Sequence, residues 1–95
     1  MRVCYTRRAR DDLAAILGYI EDRSPSGAIN VKRALKRAID LIGEHPSIGR
    51  VSGEGQTRVI PVGRYPYLIY WSVEAGEVWL LHIRHAARRQ WEGDR

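Results

Sequence analysis

The stretch Thr57-Arg58-Val59-Ile60-Pro61-Val62-Gly63-Arg64-Tyr65-Pro66-Tyr67-Leu68-Ile69-Tyr70-Trp71-Ser72-Val73-Glu74-Ala75-Gly76-Glu77-Val78-Trp79-Leu80-Leu81-His82-Ile83-Arg84-His85 decides the fold. It holds three runs rich in β-branched and aromatic residues: Thr57 to Val62, Tyr67 to Val73 and Val78 to His85. Gly63-Arg64-Tyr65-Pro66 separates the first pair and Glu74-Ala75-Gly76-Glu77 the second. Links this short join antiparallel neighbours.

Upstream, the period changes from two to 3.6. Ala9, Leu13, Ile16, Leu17 and Ile20 recur at helical spacing, with Thr6 placed to cap the start. Val31, Leu35, Ala38, Ile39 and Ile42 form a second stripe, and Lys32, Arg33, Lys36 and Arg37 fall off it toward water. Ser24-Pro25 ends one helix and opens the next, and Pro46 stops the second at about His45. Two helices on a short connection pack antiparallel. Arg2 to Tyr5 reads as a short opening strand, and Pro46 to Gln56 as a loop rich in Gly, Pro and Ser. The expected fold is α+β in the order β-α-α-β-β-β. A helical hairpin covers one face of a small antiparallel sheet. The first strand joins through a long connection, so the sequence leaves its place in the sheet open. The polar tail from Ala86 to Arg95, broken only by Trp91, reads as a short helix or a frayed end.

The 95 residues make one domain, 1–95. With 44% hydrophobic and 28% charged residues the chain is a globular domain, not a disordered one. Its longest nearly apolar run, Leu13 to Ile20, is too short to cross a bilayer. Arg2, Arg7, Arg8 and Arg10 precede no apolar leader, and the single Cys4 permits neither an internal disulfide nor a cysteine-rich zinc site. A cytoplasmic location is expected. Sixteen Lys and Arg against eleven Asp and Glu give a net charge of +5, which points to an anionic partner, either nucleic acid or an acidic protein.

No cofactor or metal is expected. His82 and His85 stand three apart on a strand and point to opposite faces. Gly53-Glu54-Gly55 lacks the context of a phosphate loop, and the pairs Asp11-Asp12 and Glu21-Asp22 read as solvated surface. With Phe absent, Tyr65, Tyr67, Tyr70, Trp71 and Trp79 read first as packing residues and second as platforms for bases. One constellation remains: Arg58, Arg64, His85, Arg88 and Arg89. In an antiparallel meander the turn at Arg64 and the end at His85 fall at the same end of the sheet. Such a group grips phosphate and moves a proton, or it is a basic rim for an acidic partner. Spacing leaves both readings open.

Four segments in order carry a family resemblance: Ala9-x-x-Asp12-Leu13-x-x-Ile16-x-x-Tyr19-Ile20; His45-Pro46-x-x-Gly49-Arg50; Thr57-Arg58-Val59-x-Pro61-Val62-x-x-Tyr65-Pro66-Tyr67-Leu68-Ile69-Tyr70; and Val78-x-x-Leu81-x-Ile83-x-His85-x-x-Arg88. The chain resembles the RelE/ParE superfamily of bacterial type II toxins, and the ParE side most. The resemblance implies a toxin held by a cognate antitoxin, ParD-like or RelB-like. On this chain the apolar hairpin residues Leu13, Leu17, Ile20, Val31, Leu35 and Ile39 are the candidate antitoxin contacts. ParE-like members inhibit DNA gyrase without cutting RNA. RelE-like members cleave mRNA on the ribosome. For the first target the contact candidates are Arg84, His85, Arg88 and Arg89. For the second, Arg58, Arg64, His85 and Arg88 are the candidate catalytic set. The strand region carries arginines but no lysine, and the tail carries no tyrosine. Both features depart from the RelE pattern and favour gyrase.

Overall fold

The computed structural model describes residues 1–53 and 55–86. The expected tail element, with Arg88 and Arg89, lies outside the described residues. The elements run β1 (Val3–Tyr5), α1 (Arg7–Arg23), α2 (Pro25–Glu44), β2 (Arg50–Val51), β3 (Arg58–Val62), β4 (Tyr65–Glu74) and β5 (Glu77–His85). They form the α+β architecture read from the sequence, with one addition. The loop after α2 contributes the two-residue strand β2, too short to leave a periodic signal.

One five-stranded sheet has the order β1-β5-β4-β3-β2. The meander β3-β4-β5 is antiparallel, and β2 extends it antiparallel at the β3 edge. The open question of the first strand is answered by β1, which lies parallel to β5 with Val3 opposite Val78 and Tyr5 opposite Leu80. The sheet is therefore mixed.

Local chemistry explains the boundaries. Thr6 Oγ1 accepts the Ala9 amide at 3.0 Å and caps α1. Ser24 ends α1 and starts α2. Its amide bonds the Ile20 carbonyl at 2.7 Å, and its hydroxyl accepts the Gly27 amide at 3.0 Å, with Pro25 in the first turn. His45 caps the end of α2 before Pro46. Trp71, fully buried, donates its indole N–H to the Pro46 carbonyl at 3.1 Å and ties the following loop to the sheet. Gly49 is required in that loop. Its φ is +80°, and a Cβ there would fall 2.6 Å from both Ile60 Cγ2 and the Val59 carbonyl.

Both helices lie on one face, α1 over β5 and β1, and α2 over β3. The core beneath them holds Leu35, Ile42, Val62, Ile69, Trp71, Val78, Leu80 and Ile83. A register shift helps to build it. Tyr70 faces His82 but Trp71 faces Leu80, so Leu81 has no partner on β4. This extra residue moves the alternation by one and lets both Leu80 and Ile83 point at the helices.

Candidate functional site

The two strand histidines point to opposite faces, as their spacing of three requires. The His85 ring meets the Tyr67 ring edge-on at 5.5 Å, and Tyr67 belongs to the helix-side core. The His82 ring stacks on Tyr70 at 4.3 Å, on the opposite face. Arg84, half-buried, places its guanidinium 5.7 Å from the Tyr70 ring on that same face. Among the described residues no group of three or more His, Cys, Asp or Glu side chains is placed to hold a metal.

Packing claims most of the sheet aromatics, as their composition suggested. Trp71, Tyr67 and Tyr70 are buried, and Tyr65 and Trp79 are half-buried. The exposed tyrosines are Tyr5 and Tyr19 instead, and the Arg23 guanidinium covers the Tyr19 ring at 3.7 Å. Partial burial first, and then the Asp40 carboxylate, raises the Tyr5 phenol above its ordinary value, against a lowering by Lys36. It therefore stays a neutral hydroxyl.

The arginine–histidine constellation divides. Arg64 sits in the turn after β3, next to the Val62–Tyr65 pair, and His85 lies across from Tyr67, so these two share one end of the sheet. Arg58 is at the other end of β3, opposite Trp71. Four residue-to-residue steps of strand, about 13 Å of backbone, separate it from Val62. Its guanidinium points to the Gly49 carbonyl at 3.5 Å, on the β2 side. Of the three described members of the catalytic set read from the sequence, Arg58 therefore stands apart from Arg64 and His85, and Arg88 lies outside the described residues.

The candidate antitoxin contacts divide as well. Leu13, Leu17 and Ile20 on α1 are half-buried and retain accessible apolar surface. Val31, Leu35 and Ile39 are 4%, 2% and 8% exposed. They are core residues beneath α2, and a partner reaches them only by prising the helix from the sheet. That corrects their placement on a docking surface. The solvated reading of Asp12 needs correction too. Its carboxylate accepts the Ile83 amide of β5 at 3.0 Å. It lies beyond the end of β1, where that strand edge has no neighbouring strand.

A groove of about 480 Å³ opens between α2 and the β3–β4 turn. Ala34, Ala38, Ile60 and Tyr65 line it, with Arg37 and Arg64 charged and Leu41 apolar. Leu41 is 38% exposed. The sequence held one signal of this groove. Leu41 is a large apolar residue off the α2 stripe, one turn after Arg37.

Comparison with known proteins fits this geometry. A family profile described as "ParE toxin of type II toxin-antitoxin system, parDE" matches residues 3–90. The chain is 39% identical over 87 residues to Toxin RelE2 of Caulobacter vibrioides, covering 92% of this chain and 97% of that protein. The fold is shared with a chain of the chromosomal ParDE system from P. aeruginosa. The TM-score is 0.78 at 23% identity, over 90% of this chain and 95% of that one. Such a system pairs the toxin with a cognate antitoxin. With nearly its whole length matched, this chain belongs to the ParE toxin family of type II toxin–antitoxin systems.

Proposed function

We propose that this toxin acts in the cytoplasm as a non-enzymatic inhibitor of DNA gyrase, blocking replication when its antitoxin is absent. The observation that carries this reading is the separation of Arg58 from Arg64 and His85. Cleaving RNA through the 2′-hydroxyl needs a base, an acid and cations converging on one phosphate. Arg58 faces Gly49 at one end of β3, while Arg64 and His85 stand at the other end of the sheet. Both lysines, Lys32 and Lys36, are on α2, so the strands supply no ammonium to this end. A protein inhibitor needs no such convergence. It needs contacts, and the end of β5 offers basic ones, Arg84 on one face of the sheet and His85 on the other. Among the described residues no helix is long and apolar enough to cross a membrane.

The test is one toxin preparation in two assays: supercoiling by purified gyrase, and cleavage of mRNA on translating ribosomes. Gyrase inhibition at near-stoichiometric toxin with intact mRNA is expected. Discrete cuts within translated codons, with supercoiling untouched, would make RelE-type mRNA cleavage the function.

A further inference from the structure

Two basic blocks of the sequence, Arg7 to Arg10 and Lys32 to Arg37, have no part in the basic end of β5. The hairpin brings them together. Its helices run antiparallel, so the start of α1 lies beside the C-terminal half of α2. Tyr5, two residues before α1, marks the junction, since its phenol feels both Asp40 and Lys36 of α2. Arg7, Arg10, Lys32, Arg33, Lys36 and Arg37 are all exposed.

The fold itself gains nothing from these charges. The N-terminal end of a helix favours anions, yet the first turn of α1 holds no acidic residue and the helix opens on Arg7, Arg8 and Arg10. On α2, Lys32 and Lys36 stand four apart, as do Arg33 and Arg37, a spacing at which like charges repel. Among the described residues Arg7, Arg10, Lys32, Arg33 and Arg37 form no ion pair. Of the carboxylates on the same stretches, Asp12 is engaged by Arg8 and the Ile83 amide, and Asp40 by Lys36. Asp11 is a single charge against five. An external anion would relieve this repulsion.

We infer that this end of the helical hairpin is a binding surface for the phosphate backbone of a nucleic-acid duplex, contacted by Arg7, Arg10, Lys32, Arg33 and Arg37. The inference goes beyond the gyrase reading and is independent of it. Three features select the occupant. Protein interfaces draw their energy from buried apolar anchors, and no large hydrophobic residue is exposed over 7–18 or 30–40. Single strands need aromatic platforms for their bases, and the surface has none over these same stretches. A major groove about 12 Å wide admits one helix, whereas the hairpin presents two side by side, about 8–10 Å apart between axes. The contact is therefore made to phosphates and carries no sequence preference.

The test measures binding of the purified 95-residue chain to a short DNA duplex of arbitrary sequence and to the RNA duplex of the same sequence, by fluorescence anisotropy across a salt series. Five phosphate contacts predict a slope of log affinity on log salt of about −4 to −5. Arg10→Ala with Arg33→Ala should lower affinity about tenfold or more and flatten the slope by about two. Arg10→Lys with Arg33→Lys keeps the charge and should keep the slope. Arg23→Ala with Arg50→Ala makes the same charge change on exposed residues elsewhere and should stay within about twofold of wild type. Melting curves confirm that each variant is folded. Tighter binding of one duplex identifies the source of the phosphates. Equal weakening by the two alanine pairs would mean that net charge alone attracts the duplex, and would overturn the inference. So would the absence of duplex binding at low salt. Polyglutamate of matched charge is the last probe: if it binds as tightly and through the same arginines, the surface is for an acidic protein and the inference fails.

Discussion

The two arms of the helical hairpin carry similar apolar stripes and meet different fates. α2 buries eight residues, among them Val31, Leu35, Ile39 and Ile42. α1 buries Ala9 alone and leaves Leu13, Ile16, Leu17 and Ile20 half-covered. Two causes act together. The buried face of α2 includes Ala28, Ala34, Ala38 and Gly43, which let its axis approach closely. A Cβ at Gly43 would sit only 3.0 Å from Val3 Cγ2. After Ala9 the apolar residues of the corresponding face of α1 are all Leu and Ile, beside the half-buried Asp12. The sheet below α1 is also narrower, because β1 ends at Tyr5 and β5 continues to His85 without a neighbour on that side. An amphipathic stripe shows that a helix has an inner face. The width of what lies beneath it decides how much of that face is covered.

The difference between the two helices should be largest at their central leucines. Leu35→Ala should lower the stability of the antitoxin-free chain by about 2–5 kcal/mol, and Leu17→Ala by only about 1 kcal/mol, in urea unfolding. Equal losses would mean that α1 is as much a core element as α2. Asp12 tests the point where α1 replaces the missing strand. Asp12→Ala strands the Ile83 amide and should cost about 1–3 kcal/mol. Asp11→Ala, one position away and exposed, should stay within about 0.5 kcal/mol. If the two substitutions cost the same, the Asp12 contact contributes nothing beyond its surface charge. The smallest effect belongs to the exposed face of α2. Lys36→Ala removes the exposed pair with Asp40 and should change stability by no more than about 0.5 kcal/mol.

The same contrast shows what was legible in the sequence. Thr6, Ser24-Pro25 and Pro46 mark helix ends through local bonding rules, so the hairpin could be read residue by residue. The meander followed from two short turns. What stayed hidden depended on contacts distant along the chain. β2 exists because Arg50 and Val51 find β3, and two residues have no period of their own. The parallel placement of β1 depends on a partner more than seventy residues away. Asp12 reads as a surface charge until Ile83 is brought beside it. At the candidate site, the shared end of Arg64 and His85 was readable from the meander. The displacement of Arg58 was also implicit, since it begins the strand that Arg64 follows. Val31, Leu35 and Ile39 were misplaced because one stripe serves equally as a core or as a docking face until a sheet lies against it.

The contacts that close β5 past the end of β1 have a consequence for the toxin released from its antitoxin. An uncovered strand edge is a template on which further chains can pair and polymerise. Here the Thr6 hydroxyl donates to the Leu81 carbonyl at 2.9 Å, and Asp12 takes the Ile83 amide. Side chains at the start of α1 thus occupy backbone groups that a second molecule would need. At the opposite margin β2 offers two residues, one of them Arg50, too little and too charged to seed a growing sheet. The β5 edge beyond β1 is thus blunted and β2 offers little to pair with, which disfavours edge-to-edge association of the freed molecule through these two stretches.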